Sequence, residues 1–210
     1  MDLAFTLWSI RRVSLIALIF ASVCRAVGKR KVQDHSKAYH HSPYEIECPP
    51  YINDYILYSY KTPFGVKDRA IKTAHPDLEV RPSSYAGAGL GVFSRTFIPR
   101  DTWLGEFEGL LIAAGDHGYG QDDSYMWQVY RDDKLAYFID SIETETSNWM
   151  RYVNCPRTPR EENLSYHYCF GKIYYRTKRD VLPAEELMIY YGDAYAETLG
   201  INTSLFQTGS

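Results

Sequence analysis

The sequence predicts a mostly β domain. From Leu78 onward, short apolar runs rich in β-branched and aromatic residues alternate with glycine, proline and aspartate. No internal repeat, heptad pattern or long amphipathic helix runs through the sequence, which argues against a helical bundle and a doubly wound α/β sheet. A length of 210 residues, 45% of them hydrophobic, suits one globular domain with additional segments. The 19 tyrosines are many for such a domain and suggest a use for phenol rings.

The regular elements are predicted to be short, because turn residues interrupt every apolar run. The predicted strands are Leu78 to Arg81, Gly91 to Phe97, Trp103 to Ile112, Tyr125 to Tyr130, Ala136 to Asp140, Lys172 to Lys178 and Leu187 to Tyr191. The predicted helices are Thr146 to Val153 and Ala194 to Leu199.

The residues before the domain divide into three segments. Residues 1–27 are an apolar leader, in which Arg11 and Arg12 precede an apolar run from Val13 to Val23. That run is short for a membrane span, which needs about 20 residues, but it fits a secretory signal, whose apolar region takes about 7 to 15. The alternative is a dispensable leader on an intracellular domain. Residues 28–50 are then a polar linker, 51–77 an extension before the domain at 78–201, and 202–210 a tail.

Charge and cysteine content narrow the functional classes. The net charge of -3 gives no general attraction to nucleic acid and suits a cationic peptide partner better. The four cysteines include no CxxC pair, so we expect neither a metal site nor a dense disulfide framework, and a reducing compartment is the default. The sequons at Asn163 and Asn202 matter only if the chain enters the secretory route.

A glycine-rich stretch from Tyr85 to Phe93 is the first candidate for chemistry. Its glycines allow a ligand to approach the backbone closely. A dinucleotide fingerprint requires a helix directly after the glycines, whereas Val92 to Ser94 predict a strand, so that interpretation fails. A plain β-turn remains the alternative.

A second stretch runs from Asn148 to Pro156. Asn154 offers an amide donor and acceptor, or else it only turns the backbone. Cys155 is either a small buried apolar residue or a thiol that would need His167 as its base. No nucleophile signature surrounds Cys155, so a cysteine hydrolase is the least favoured enzyme class.

The third stretch runs from Val181 to Asp193. Glu185 and Glu186 are neighbours on a predicted extended segment and therefore point to opposite faces, so they cannot flank one substrate bond and are interpreted as structural. Tyr191 stands beside Gly192, where its ring can contact a ligand and its hydroxyl a polar atom. Core packing is the alternative for this tyrosine.

Taken in this order, the three stretches resemble the SET domain, and Trp149 to Cys155 resembles its PR subclass, most closely the meiotic recombination-hotspot members. The resemblance covers about residues 78–201. It implies several small curved sheets, a knot-like C-terminal segment and short helices. It also implies a protein-lysine methyltransferase that uses S-adenosylmethionine, acting on the fourth residue of the histone H3 tail and secondarily on the thirty-sixth.

The resemblance assigns roles to individual residues. Tyr125, Tyr175 and Tyr191 would be catalytic and flank the lysine channel. The cofactor would contact Ala88, Gly89, Leu90, Tyr125, Asn154 and Cys155. The histone H3 peptide would contact Asp122, Asp123, Ser124, Tyr125, Met126, Trp127, Gln128 and Tyr191.

The sequence departs from these relatives at three places. Phe107 stands where they have a channel tyrosine, which bears on the number of methyl groups added. Of an upstream zinc knuckle only Cys48 remains, so no metal is expected there. No zinc-finger array follows Ile201, so we expect no sequence-specific DNA binding and a partner protein that directs a nuclear enzyme to chromatin.

Two other functions compete with the enzyme. A PR domain can bind a partner or peptide without methylating it; three phenols around one channel argue against that. A secreted β-rich binding protein, or one that the leader anchors at a membrane, rests on the leader and the sequons, and a glycan on Asn163 would favour it.

Overall fold

The computed structural model describes residues 48–56, 58–116, 122, 124–131 and 134–207. Within these ranges, eight short strands form three antiparallel sheets. The strands are β1 (Leu78–Pro82), β2 (Leu90–Ser94), β3 (Trp103–Glu106), β4 (Leu110–Ala113), β5 (Met126–Arg131), β6 (Lys134–Asp140), β7 (Leu164–Cys169) and β8 (Lys172–Thr177). The predicted mostly β fold is confirmed, while the predicted leader and most of the linker lie outside the described residues.

The sheets have the strand orders β1-β2, β3-β8-β7 and β4-β6-β5. Short helices connect or flank them. The α-helices are Arg69–Lys72 and Asp193–Thr198, and the 3-10 helices are Ile52–Tyr55, Trp149–Tyr152 and Thr203–Phe206. The predicted helix from Thr146 to Val153 is therefore a single 3-10 turn, whose N-terminus the Asn148 side chain caps by accepting a hydrogen bond from the amide of Met150.

The predicted strand from Trp103 to Ile112 is wrong as one element, because its halves belong to different sheets. Between β3 and β4 the Phe107 amide donates to the Ile173 carbonyl of β8. The chain then passes so close to Asp140 that a Cβ at Gly109 would overlap its carbonyl. Strand β7 was not predicted, although Leu164, Tyr166 and Tyr168 alternate with the polar Ser165 and His167 as in a half-buried strand.

The segment from Glu185 to Ile189 passes between two parts of the chain instead of extending a sheet. On one side the Leu187 amide donates to the Val92 carbonyl of β2 at 2.7 Å. On the other side the Ile189 amide donates to the Asn154 carbonyl at 3.0 Å. The predicted strand over Leu187 to Tyr191 thus forms isolated bridges, and this passage is the knot-like C-terminal segment.

Asn163 lies beside this segment and is fully buried. Its side-chain nitrogen donates to the Glu186 carbonyl at 2.7 Å, and its side-chain oxygen accepts from the Met188 amide at 2.8 Å. The Asn163 side chain therefore satisfies the buried carbonyl of Glu186 and the buried amide of Met188, as the backbone of a neighbouring strand would. A glycan on that nitrogen is incompatible with this packing.

The core centres on Trp149, whose ring is fully buried and whose indole nitrogen donates to the Ser59 hydroxyl at 2.9 Å. Leu104, Val129 and Ile173, one from each of three strands, are also fully buried. Burying each such side chain contributes roughly 1.5 to 3 kcal/mol. The sheets therefore share one apolar cluster.

The extension before the domain is fixed to it by a buried cation. Arg69 is 3% exposed and pairs with the Glu108 carboxylate. Its remaining guanidinium nitrogens donate to the carbonyls of Thr62 and Ser147. Loss of the Glu108 carboxylate would leave the buried Arg69 guanidinium without its charged partner, which costs about 3 to 5 kcal/mol when buried pairs are broken.

A disulfide between Cys48 and Cys169 makes a second attachment, across a sequence separation of 121 residues. Sequence spacing could not indicate this pairing. The disulfide lies in a small apolar cluster with Ile52, Trp103 and Tyr174. It joins the end of the predicted linker to the end of β7.

Replacing both Cys48 and Cys169 by serine is expected to lower the free energy of unfolding by about 2 to 5 kcal/mol, because the crosslink closes a long loop in the unfolded chain. Urea denaturation with and without reductant measures the change. Reductant should reproduce the loss in the natural chain and have no effect on the double variant. Equal stability of all four samples would contradict a structural role for the disulfide.

His167 is expected to make stability depend on acid. Burial and, secondarily, the Arg176 charge lower its pKa from 6.5 to about 4. The unfolded chain therefore takes up this proton first, and stability falls as the pH drops from 6.5 towards 4, by at most about 1.4 kcal/mol per pH unit. In His167→Gln, the free energy of unfolding measured in urea should fall less between pH 7 and pH 4.5 than in the natural chain. An equal fall in both would contradict the role of His167.

Candidate active site

A cavity of about 730 Å³ opens beside the glycine-rich turn. Its size is within the range of small-molecule sites. One wall is the turn from Tyr85 to Leu90, and the opposite walls come from the motif around Asn154 and from the C-terminal residues that begin at Tyr191. The three sequence stretches singled out for chemistry thus meet at one cavity.

The turn presents backbone to the cavity. It connects β1 to β2, and it is closed by a hydrogen bond from the Ser83 amide to the Gly89 carbonyl at 2.9 Å. Gly87 and Gly89 both have positive φ angles, of 85° and 73°, which other residues adopt only with strain. Ala88, Gly89 and Leu90 line the cavity, where the resemblance puts cofactor contacts.

Asn154 and Cys155 line the opposite side. The Asn154 side chain donates to the Leu90 carbonyl at 3.0 Å and so joins its own segment to the turn. Cys155 is buried, and burial raises the pKa of its thiol to about 11. His167, the base that a cysteine nucleophile would need, instead packs edge-on against Trp103. The arrangement does not favour a cysteine hydrolase.

Two of the three proposed catalytic tyrosines line the cavity. Tyr191 donates its hydroxyl hydrogen to the Val153 carbonyl, and the ring of Tyr125, which is 39% exposed, lies against the Arg151 guanidinium. Burial and then the nearby groups Tyr175, Cys155, Tyr195 and Tyr125 raise the pKa of Tyr191 well above 10. The phenol therefore stays protonated over the physiological range.

Tyr175 lies behind the cavity wall. It is 1% exposed, and its hydroxyl accepts a hydrogen bond from the Trp127 indole at 3.1 Å. Phe107 packs against Tyr175 with ring centroids 5.8 Å apart, and Tyr166 packs against Trp127 at 4.7 Å. Burial raises the pKa of Tyr175 strongly. These four rings form an aromatic cluster next to the position of Tyr191.

Three of the proposed peptide residues lie in the first half of β5. Within the described part of the chain, β5 is the edge of its sheet, and Met126, Trp127 and Gln128 belong to it. The Gln128 carbonyl already accepts a hydrogen bond from the Tyr168 hydroxyl, so part of this edge is capped.

The residues just before β5 are exposed. Asp122 accepts hydrogen bonds from the side chain and the amide of Ser124, which lower its pKa. Asp123 lies outside the described residues.

Several cavity residues were not predicted. The Arg157 guanidinium lies 4.3 Å from the centre of the Tyr85 ring. The Tyr85 hydroxyl is buried near the Glu161 carboxylate, and burial and then hydrogen bonding to that carboxylate raise its pKa to about 12. Arg151 lies over the rings of Tyr125 and Tyr152 at 4.3 and 4.8 Å. Tyr85 and Arg151 stand inside the recognised stretches, but nothing in their spacing signals a contact with a ligand.

The electrostatics of the cavity are one-sided. Arg151 and Arg157 line it, no acidic residue does so among those described, and neither arginine forms an ion pair with a described carboxylate. The two guanidinium groups can therefore receive an anionic group of a ligand, while the carboxylates of Glu161 and Glu186 lie behind the lining residues. Among the described residues there is also no cluster of histidine, cysteine and carboxylate side chains able to hold a metal ion, and no helix long and apolar enough to cross a membrane.

Three small antiparallel sheets and a C-terminal passage that brings a tyrosine to a glycine-rich turn define a PR/SET-type domain. The family model of the PR domain of PR domain zinc finger protein 2 matches residues 78–202, more than half of the chain. The chain belongs to this PR-domain family, and the predicted family is confirmed.

Individual relatives agree with this placement. The chain is 39% identical to PR domain zinc finger protein 14 of Homo sapiens over 115 residues, which are 55% of this chain and 20% of that protein. It is 32% identical to histone-lysine N-methyltransferase PRDM7 of Homo sapiens over 153 residues, 68% of this chain and 30% of that protein. The chain thus spans less than a third of either relative.

A solved structure also matches. The methyltransferase domain of human PR domain-containing protein 2 aligns with a TM-score of 0.51 and 28% identity, covering 61% of this chain and 86% of that one. The family to which the chain belongs thus includes proteins named as lysine methyltransferases.

The Cys155 thiol is expected to resist alkylation, because it is buried and its raised pKa keeps it protonated. In a Cys24→Ser variant without reductant, iodoacetamide at pH 8 should add nothing to the folded chain and one group to the urea-unfolded chain. Intact-mass spectrometry counts the adducts. Rapid labelling of the folded chain would return the cysteine nucleophile to consideration.

Proposed function

We propose that this chain binds S-adenosylmethionine in the 730 Å³ cavity and transfers its methyl group to a lysine of the histone H3 tail. The expected positions are the fourth residue of that tail and secondarily the thirty-sixth. The observation that carries the proposal is the meeting of the glycine turn, Asn154 and Tyr191 at one cavity.

The residues present suit this cofactor. Backbone groups of Ala88, Gly89 and Leu90 would hold it, and Tyr125, Asn154 and Cys155 would complete the pocket. The guanidinium groups of Arg151 and Arg157, which line the cavity, suit its carboxylate. When bound, the cofactor supplies an electrophilic methyl group on a positively charged sulfur.

The tyrosines would stabilise positive charge without reacting. An aromatic face near a cation is worth about 0.5 to 2 kcal/mol. Tyr191 and Tyr175 keep their protons because their pKa values are raised, so neither competes as a nucleophile or acts as a base. The Tyr191 hydroxyl, fixed on the Val153 carbonyl, presents its oxygen as an acceptor for the amine.

The transfer needs only a neutral amine. Carbon–nitrogen bond formation accompanies carbon–sulfur cleavage, and the sulfur keeps the electron pair. An apolar channel and a neighbouring positive charge both lower the pKa of the incoming lysine, which loses its proton to solvent beforehand. Positioning then supplies most of the rate enhancement. No general base is required among the channel residues.

The substrate peptide would contact Asp122, Asp123, Ser124 and Tyr125 and would pair with the edge of β5 from Met126 to Gln128. Backbone hydrogen bonds would supply affinity and side-chain pockets the register. Tyr168 caps the Gln128 carbonyl, so pairing would be confined to residues before it. The exposed carboxylate of Asp122 suits the cationic H3 tail.

We propose residues 78–201 as the PR/SET domain, with 51–77 as its extension. A partner protein would direct it to chromatin in the nucleus. The Cys48–Cys169 disulfide is the observation that favours the alternative of an oxidising compartment, because such bonds persist there and are rare in the nucleus.

A protein-binding module is the second candidate, and one observation favours it. Tyr175 is enclosed, its hydroxyl is engaged by Trp127, and Phe107 lacks the hydroxyl of a channel tyrosine. Such a channel would admit a lysine poorly unless the aromatic cluster shifts. The same domain could then hold a peptide along β5 without methylating it.

Transfer of labelled methyl from S-adenosylmethionine to H3 and H4 tail peptides by the full chain tests the proposal. Transfer to H3 is expected, reduced at least about a hundredfold in Tyr191→Phe, because the variant loses the hydroxyl that orients the amine. Peptides with arginine at the fourth or thirty-sixth position identify the target.

Tyr190→Phe is the matched control, since Tyr190 stacks on Phe206 and its hydroxyl bonds Asp193 outside the cavity lining. It should retain activity. Both variants must keep the melting temperature of the natural chain within a few degrees. Absence of transfer by a folded chain that still binds the H3 peptide would establish the binding module.

A further inference from the structure

The carboxylate of Glu186 lies under the cavity turn. Its side chain is buried, with the residue 7% exposed. One oxygen accepts hydrogen bonds from the Ser83 hydroxyl at 2.7 Å and from the Asn154 side chain at 3.1 Å. The other accepts from the Ser84 amide at 2.8 Å and from the Ser84 hydroxyl. One carboxylate thus contacts both sides of the candidate cofactor pocket.

The backbone holds Glu186 in place. The Ser94 amide of β2 donates to the Glu185 carbonyl at 3.0 Å, and the Leu187 amide donates to the Val92 carbonyl of β2 at 2.7 Å. The carboxylate also occupies the space beside Gly91, where any Cβ would overlap its oxygen. No described lysine, arginine or histidine forms an ion pair with Glu186, so hydrogen-bond donors of the pocket are its partners.

The contacts continue into the turn itself. The Ser83 hydroxyl, which donates to Glu186, also accepts from the Tyr85 amide at 3.1 Å. The Asn154 nitrogen that donates to Glu186 also donates to the Leu90 carbonyl at 3.0 Å. Both ends of the turn are thereby tied to one buried oxygen.

We propose that Glu186 is a positioning residue for the cofactor: it holds the turn 83–90 and the Asn154 side chain in the geometry that receives the ligand. The inference rests on the proposed function and deepens it. Because Glu186 acts through Ser83, Ser84 and Asn154, its loss should weaken cofactor binding and loosen the turn while the core stays folded.

Glu185 provides a matched control. It is the preceding residue, is also partly buried, and carries the same group, but its carboxylate pairs with Arg179 and accepts from the Leu182 amide, away from the pocket. Glu185→Gln and Glu186→Gln are therefore the same chemical change on opposite faces of one segment. A general loss of stability should affect both variants.

The test uses the full chain with S-adenosylhomocysteine as the titrated probe in calorimetry, and hydrogen exchange of residues 83–90. In Glu186→Gln, an amide nitrogen replaces an acceptor oxygen, so Kd should rise about ten- to hundredfold and exchange in the turn should accelerate. Exchange in β7 and β8 should not change. Glu185→Gln should keep Kd within about twofold.

Steady-state kinetics separate positioning from chemistry. The KM for S-adenosylmethionine should rise in Glu186→Gln by the same factor as Kd, with the KM for peptide unchanged. Ser84→Ala, which removes one donor without touching the buried carboxylate, should show a smaller effect of the same kind. If Glu186→Gln does not fold, Ser84→Ala still tests the inference.

Unchanged Kd and unchanged turn exchange in both Glu186→Gln and Ser84→Ala would overturn the inference, as would equal losses in Glu185→Gln and Glu186→Gln. If the natural chain does not bind S-adenosylhomocysteine, the proposed function fails. Hydrogen exchange of residues 83–90 then still tests whether Glu186 holds the turn. Faster exchange only in Glu186→Gln and Ser84→Ala supports a positioning carboxylate, and no acceleration overturns it.

Discussion

The passage of residues 185–189 between β2 and the Asn154 region is the constraint on which the cavity depends. Val92 on one side and Asn154 on the other both bond to its backbone, so the two walls cannot move independently. The buried carboxylate of Glu186 adds side-chain contacts to the same two walls. Stretches that are far apart in sequence meet because this one segment satisfies the backbone groups of both.

The electrostatic character of the cavity follows from what lines it. Arg151 and Arg157 lie against tyrosine rings, and Arg151 also donates to the carbonyls of Ser141 and Ile142, so neither charge is neutralised by a described carboxylate. The phenols contribute faces and hydrogen-bond acceptors but hold their protons. Such a site can orient a ligand and stabilise its charges, which is what the proposed methyl transfer requires.

Sequence reasoning predicted the class of fold and the stretches that meet at the cavity, because turn residues, apolar runs and motif order are local signals. The sequence reasoning merged β3 with β4. Their separation involves close packing of Gly109 against Asp140, which lies 31 positions later in the sequence and gives no local signal. The pairing of Cys48 with Cys169 was likewise beyond local signals.

Site residues divide in the same way. Ala88, Leu90, Tyr125, Asn154, Cys155 and Tyr191, to which the resemblance assigned ligand contacts, all line the cavity. Arg157 stacked on Tyr85 depends on a contact between distant segments, so the sequence alone gave no reason to choose it. Tyr175, which the resemblance puts at the lysine channel with Tyr191, lies behind an aromatic wall, and its depth depends on contacts with Trp127 and Phe107 that the sequence does not reveal.

Folding of the domain and glycosylation of Asn163 exclude each other, because both need the side-chain amide of Asn163. Its nitrogen is the atom that a glycan would use, and it is also the atom that bonds the Glu186 carbonyl inside the domain. A chain translocated through a membrane as it is synthesised would have to fold before the sugar is attached, since either event excludes the other. This fold is thus most easily reached where no glycosyl transfer competes with folding.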